Sequence, residues 1–164
     1  MARDIFNYTW IEPDRVMIGS IPTCGADIDL LARLGIQHIF SLTRRALTDC
    51  SDIDDCIDRN ELRVTHEPIP DCDIPSHSVA SFLVNSIHAS YIQRQPFYVH
   101  CRGGIGRSGM ILQAYYIKWR GYSLAQAREL LSTRWNIQHV AHAAQQGSPQ
   151  REWIEKVAKG EIVL

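Results

Sequence analysis

Long apolar runs are missing from this chain of 164 residues, and no stretch approaches the roughly 20 residues that a membrane-spanning helix requires. A surplus of charge is missing too: 17 Lys and Arg stand against 18 Asp and Glu, a net charge of −1. That balance leaves no electrostatic footprint for nucleic acid or for an acidic membrane surface. Met1-Ala2-Arg3-Asp4 lacks the apolar run of a signal peptide, so a cytoplasmic location is expected. The five cysteines, at positions 24, 50, 56, 72 and 101, are odd in number and irregular in spacing, which argues against a disulfide framework. Cys50 and Cys56 have no partner set of zinc-type spacing, and the seven histidines show no ligand pattern. No metal and no other cofactor is expected. With no repeat, low-complexity stretch or linker, the length suits one domain over residues 1–164, expected to be a monomer.

What is present is an alternation of short β-rich runs and amphipathic segments. Val16 to Gly19, Ile36 to Leu42, Leu62 to Ile69 and Phe97 to Val99 read as strands. Asp27 to Leu34 carries apolar residues at 28, 30, 31 and 34 and stops at Gly35, a helix with its C-terminal cap. Thr43 to Asp55 is polar and reads as a loop with room for one helical turn. Ser76 is the N-cap of a long helix whose buried stripe is expected at 79, 82, 83, 87 and 91. Further helices are predicted from Ser108 to Trp119, capped by Gly121, from Leu124 to about Thr133, and from Pro149 to Ala158 behind the N-cap Ser148. Strands early and helices late predict an α/β fold, a small central mixed sheet flanked by helices.

The most informative segment is Val99-His100-Cys101-Arg102-Gly103-Gly104-Ile105-Gly106-Arg107-Ser108-Gly109, which joins a strand to a helix through a glycine-rich loop. Such a loop turns its backbone N–H groups inward as an anion-binding nest at a helix N-terminus. Arg107 adds a planar fork that matches two phosphate oxygens. The electropositive hollow favours the nucleophilic thiolate of Cys101. The segment therefore reads as a phosphate cradle, formed by Arg102, Gly103, Gly104, Ile105, Gly106 and Arg107, with Cys101 at its floor. Ser108 is placed to donate a hydrogen bond to that thiolate; it equally suits a helix N-cap. His100 is expected to be a buried ring held by backbone hydrogen bonds, orienting the loop. The other six histidines read as surface or packing residues.

Phosphate monoesters hydrolyse extremely slowly in water, so a site acting on them needs an acid for the leaving oxygen as well as a nucleophile. Asp71 and Asp73 lie between Pro70 and Pro75, some thirty residues before the cysteine. By themselves they are equally well read as turn carboxylates. Arg44 and Arg45, with Arg102, either line the pocket mouth or are simply solvated. Cys24, Cys50, Cys56 and Cys72 read as free thiols, with Cys72 the best placed to bond to Cys101 under oxidation.

The string H-C-x-x-G-x-G-R-S-G resembles the signature of the cysteine-dependent protein tyrosine phosphatases. Phe6-Asn7-Tyr8-Thr9-Trp10-Ile11, the strand from Ile36 to Thr43 and Pro68-Ile69-Pro70-Asp71 are similar to elements of the small atypical dual-specificity phosphatases. The likeness spans about residues 6 to 135. It implies a protein tyrosine phosphatase-like fold, a phosphocysteine intermediate and Asp71, rather than Asp73, as the acid. It also implies a water-positioning glutamine near Gln150. Relatives often carry an acidic residue around Arg44, where this chain has arginine. The expected substrates are phosphorylated proteins, phosphotyrosine first and phosphoserine or phosphothreonine besides, because no long insert builds deep pocket walls. The alternatives are phosphoinositides or RNA 5′-phosphates, or a phosphate-binding module without turnover.

Overall fold

The computed structural model describes residues 5–135 and 148–164. In chain order it contains strands β1 (Tyr8–Glu12) and β2 (Val16–Gly19), helix α1 (Gly25–Arg33), strand β3 (His38–Ser41) and a short 3-10 turn (Leu47–Asp49). Helix α2 (Ser51–Arg59), strand β4 (Arg63–His66), helix α3 (His77–Ile92) and strand β5 (Phe97–His100) follow, then helices α4 (Gly106–Arg120), α5 (Leu124–Arg134) and α6 (Pro149–Ala158). The strands form one mixed sheet in the order β1-β2-β5-β3-β4, with β1 antiparallel to β2 and the other neighbours parallel. This is the small flanked sheet that the sequence implies.

Strand periodicity decides which helices cover which face, because successive side chains point to opposite sides. Val16, Ile18, Phe40, Phe97 and Val99 pack into one core with residues of α3, α4, α5 and α6. Met17, Ile39 and Tyr98 point the other way, into a second core with α1 and α2. The central strand β5 is buried at every position, which explains why Phe97-Tyr98-Val99 reads as an unbroken apolar run. The parallel arrangement gathers the chain after β2, β3, β4 and β5 at one sheet edge, the place where α/β folds hold their ligands.

Serine caps set the helix starts. Ser76 accepts from the Val79 N–H, Ser123 forms a reciprocal capping box with Gln126, and Ser148 accepts from the Arg151 N–H. Each is worth about 1 kcal/mol. Gly121 ends α4 in the left-handed conformation, at φ 68°.

Three expectations need correction. The polar segment after Thr43 includes the start of a full helix, α2, rather than one turn in a loop. Only Ile53, Cys56 and Ile57 are buried in it, a narrow i, i+3, i+4 stripe among acidic residues, and Asp52 and Asp54 favour its first turn electrostatically. On α3 the buried positions are Ala80, Leu83, Val84, Ile87 and Ser90; Phe82 is half-exposed, because the core-facing stripe runs beside it. Helix α4 begins two residues before Ser108, with Ile105 at the N-cap, so Ser108 does not cap it. Met1 to Asp4, His139 and His142 lie outside the described residues.

Candidate active site

The loop from Cys101 to Ile105 leaves the C-terminal end of β5 and feeds directly into α4. Its shape comes from a contact with β2. Gly104 adopts φ +74°, and a Cβ there would collide with the main chain of Gly19; only glycine combines that conformation with that approach. The Ile21 N–H donates to the Arg102 carbonyl over 3.1 Å, a second tie between the loop and the chain after β2. Because Gly106, Arg107 and Ser108 form the first turn of α4, their N–H groups have no partner four residues back.

Asp71, Cys72, Cys101, Arg102, Gly103, Ile105, Gly106, Arg107, Ser148, Pro149 and Gln150 line a cleft of about 610 Å³. Cys101 is buried at its floor. Arg107, also buried, is aimed by main-chain oxygens: its Nη1 donates to the carbonyl of Ile69 at 3.0 Å and more weakly to that of Leu42 at 3.4 Å. Its Nη2 stands 3.0 Å from the carboxylate of Asp71. Arg102 is exposed at the cleft wall. Gly104 sits behind the wall, against Gly19.

Three predicted residues lie outside the cleft wall. Ser108 is fully buried and its hydroxyl has no hydrogen-bond partner among the described residues. His100 is fully buried, and its Nδ1–H donates to the Cys101 carbonyl over 3.1 Å. Burial pushes the His100 pKa down to about 4, with His66 and Arg107 adding to the shift against the opposing Cys101 hydrogen bond. The ring is therefore neutral near pH 7. Asp73 turns its carboxylate onto the Ile74 N–H at 2.8 Å, an ordinary turn contact, while its carbonyl accepts from Gln150 Nε2 at 3.0 Å.

Arg44 and Arg45 are exposed and form no part of the cleft wall. All five cysteines are free; Cys72 lines the same cleft as Cys101, whereas Cys24, Cys50 and Cys56 do not. Among the described residues no group of three or more His, Cys, Asp or Glu is arranged to hold a metal ion, and no helix is long and apolar enough to cross a membrane. Sequence reasoning missed the part played by Ser148 and Pro149. They read as a helix start, and nothing local says that this start closes the cleft opposite α4. Chemically, the arrangement offers a thiol at the floor, a rigid guanidinium fork and first-turn amides for an anion, and a mostly exposed carboxylate above.

A sequence model of the Swiss Army Knife DSP-PTPase phosphatase domain matches residues 6–158. The amyloplastic phosphoglucan phosphatase DSP4 of Castanea sativa is 27% identical over 139 residues, covering 78% of this chain and 36% of the relative. The chain thus spans about a third of the length of that curated relative. Among solved structures, Tk-PTP in its active form superposes with a TM-score of 0.75 at 23% identity, covering 93% of this chain and 96% of that one. Kinase-associated phosphatase carrying a serine at its catalytic cysteine gives 0.76 at 17%, covering 95% and 94%. Both likenesses bear on the fold.

Proposed function

The chain belongs to the DSP-PTPase phosphatase family, and on that premise we propose that it hydrolyses phosphate monoesters on proteins through a phosphocysteine intermediate. Phosphotyrosine is the first substrate, with phosphoserine and phosphothreonine as further ones. The observation that carries this reading is the convergence, in one cleft, of Cys101, the Arg107 fork and Asp71. A module that only bound phosphate would need neither a nucleophile nor an acid.

In the first step the Cys101 thiolate attacks phosphorus in line, forming the S–P bond as the P–O bond to the leaving group breaks. Arg107 and the amides of residues 102 to 107 hold the equatorial oxygens, where charge accumulates. As those oxygens take the Arg107 fork, Asp71 is freed from the guanidinium, takes up a proton from solvent and passes it to the leaving oxygen. In the second step water attacks phosphorus, Asp71 takes its proton, and Cys101 departs as thiolate while the buried Ser108 hydroxyl donates a hydrogen bond to it. His100 fixes the cysteine main chain and does not touch substrate.

A second reading is a phosphorylated glucan as substrate, favoured by the name of the 27% identical relative. Turnover of p-nitrophenyl phosphate, followed by a panel of phosphotyrosine, phosphoserine and phosphothreonine peptides, a phosphoinositide, an RNA 5′-phosphate and a phosphoglucan, tests both. The proposal expects the highest kcat/KM on a phosphotyrosine peptide. A phosphoglucan preferred over every peptide overturns it in favour of the second reading.

A further inference from the structure

Gln150 stands where three pieces of the cleft meet, and we infer that it is a positioning residue that holds the Asp71 loop in place while substrate occupies Arg107. The inference rests on the phosphatase reading above and adds a role to it.

The scaffold side of this bridge is rigid. Ser148 caps α6 through the Arg151 N–H, and Pro149 occupies the first helical position, where its ring fixes φ. Trp153, Ile154 and Val157 of the same helix are buried in the larger core. Gln150 itself is 7% exposed. Its Oε1 lies against the start of α4, so closely that a Cβ on Gly106 would stand 2.7 Å from it. Its Nε2 donates to the Asp73 carbonyl at 3.0 Å.

The loop side is weakly held. Asp71, Cys72 and Asp73 are all exposed, and Cys72 between the two aspartates adopts φ 58°. Ile69 is secured at the loop's base by Leu42, and the Asp73 N–H closes a turn on the Pro70 carbonyl at 3.2 Å. Beyond these, among the described residues, two bonds tie the tip to the cleft: Asp71 to Arg107, and Asp73 to Gln150. A phosphate dianion competes for the Arg107 fork and breaks the first. It has no claim on the second, a neutral amide donating to a carbonyl. Among the described residues, the Gln150 bond is therefore the tie that survives when the acid must be in position.

The test uses Gln150→Met, which keeps the length of the side chain but has no N–H, and a series of aryl phosphates of graded leaving-group ability. kcat/KM reports the step in which Cys101 is phosphorylated. Displacing the acid loop by about an ångström is expected to lower kcat/KM for poor leaving groups by about 10²-fold, with far less change for activated esters and no further loss in an Asp71→Asn background. Phosphate binding is expected to be unchanged. Loss that is equal across the series, persists with Asp71→Asn, or is absent altogether overturns the inference. So does a fall in kcat with kcat/KM intact, which would place Gln150 on the attacking water instead. If the methionine variant does not fold, Gln150→Leu, which also lacks the N–H and adds no charge, carries the same test with the same outcomes. A parent protein that turns over none of these esters overturns the phosphatase reading; an active parent with a flat Gln150→Met response overturns this inference alone.

Discussion

The guanidinium of Arg107 and the carboxylate of Asp71 meet at 3.0 Å, the first side chain almost wholly buried and the second mostly exposed. Half in solvent, such a pair adds little to stability. Its importance is that it joins the floor of the cleft to the loop above by a bond that an incoming anion can replace.

Asp71→Asn keeps the shape of that loop and removes the proton. Turnover of aryl phosphates with poor leaving groups is expected to fall by about 10²–10⁴-fold, and activated esters much less. Asp73→Asn is the control, since its carboxylate only closes a turn onto Ile74. A larger loss from Asp73→Asn would move the acid two residues along the loop.

Arg107→Lys exchanges a planar fork for a point charge. Lysine cannot satisfy the carbonyls of Ile69 and Leu42 and still present two donors to phosphate. A loss in kcat of about 10²-fold or more is expected, the cost of one missing transition-state donor. A fully active lysine variant would mean that the loop amides bind the anion unaided.

Cys101→Ser leaves the cradle and removes the thiolate. Turnover should vanish while inorganic phosphate still binds, as calorimetry would show. Residual activity within about tenfold of the parent would exclude covalent catalysis by Cys101.

Acid should weaken the fold through two buried histidines. His38 lies between the hydroxyls of Ser90 and Thr65, at 2.7 and 2.8 Å, and burial with help from Arg63 pushes its pKa down to about 4. His100 is lowered to about 4 as well, mainly by burial, and its Nε2 has no partner among the described residues. Between pH 6.5 and 4 the unfolded chain binds protons that the folded one refuses, so stability rises with pH across that window and is lost as pH falls through it. Urea midpoints are expected to drop from pH 7 to pH 4.5, with a shallower drop in His38→Gln. Equal slopes for parent and variant would remove His38 from the account.

Much of this site was legible because its chemistry is local. The strand, glycine loop and helix around Cys101 are contiguous, and strand periodicity with serine caps marks most elements. Helix α2 was hidden because three apolar residues among acidic ones give a weak stripe, and their burial depends on α1, some 25 residues earlier. Phe82 was misassigned because periodicity names a face but not its edges. Ser108 looks like a cap until the loop's geometry moves the helix start to Gly106. The approach of α6 to the cleft, and of Gln150 to Asp73, comes from tertiary packing alone.

The seating of Gly104 against Gly19 has a kinetic corollary. A cradle moulded by its neighbour in the sheet takes its curvature when the chain folds, so anion capture requires no reshaping of the loop. The incoming anion still has to displace Asp71 from Arg107, and affinity differences among anions should reside in how quickly each one leaves. The two glycines serve separate contacts: a side chain at position 104 would meet the main chain of Gly19, whereas one at position 19 would meet Asn7, Tyr8 and the Tyr98 hydroxyl.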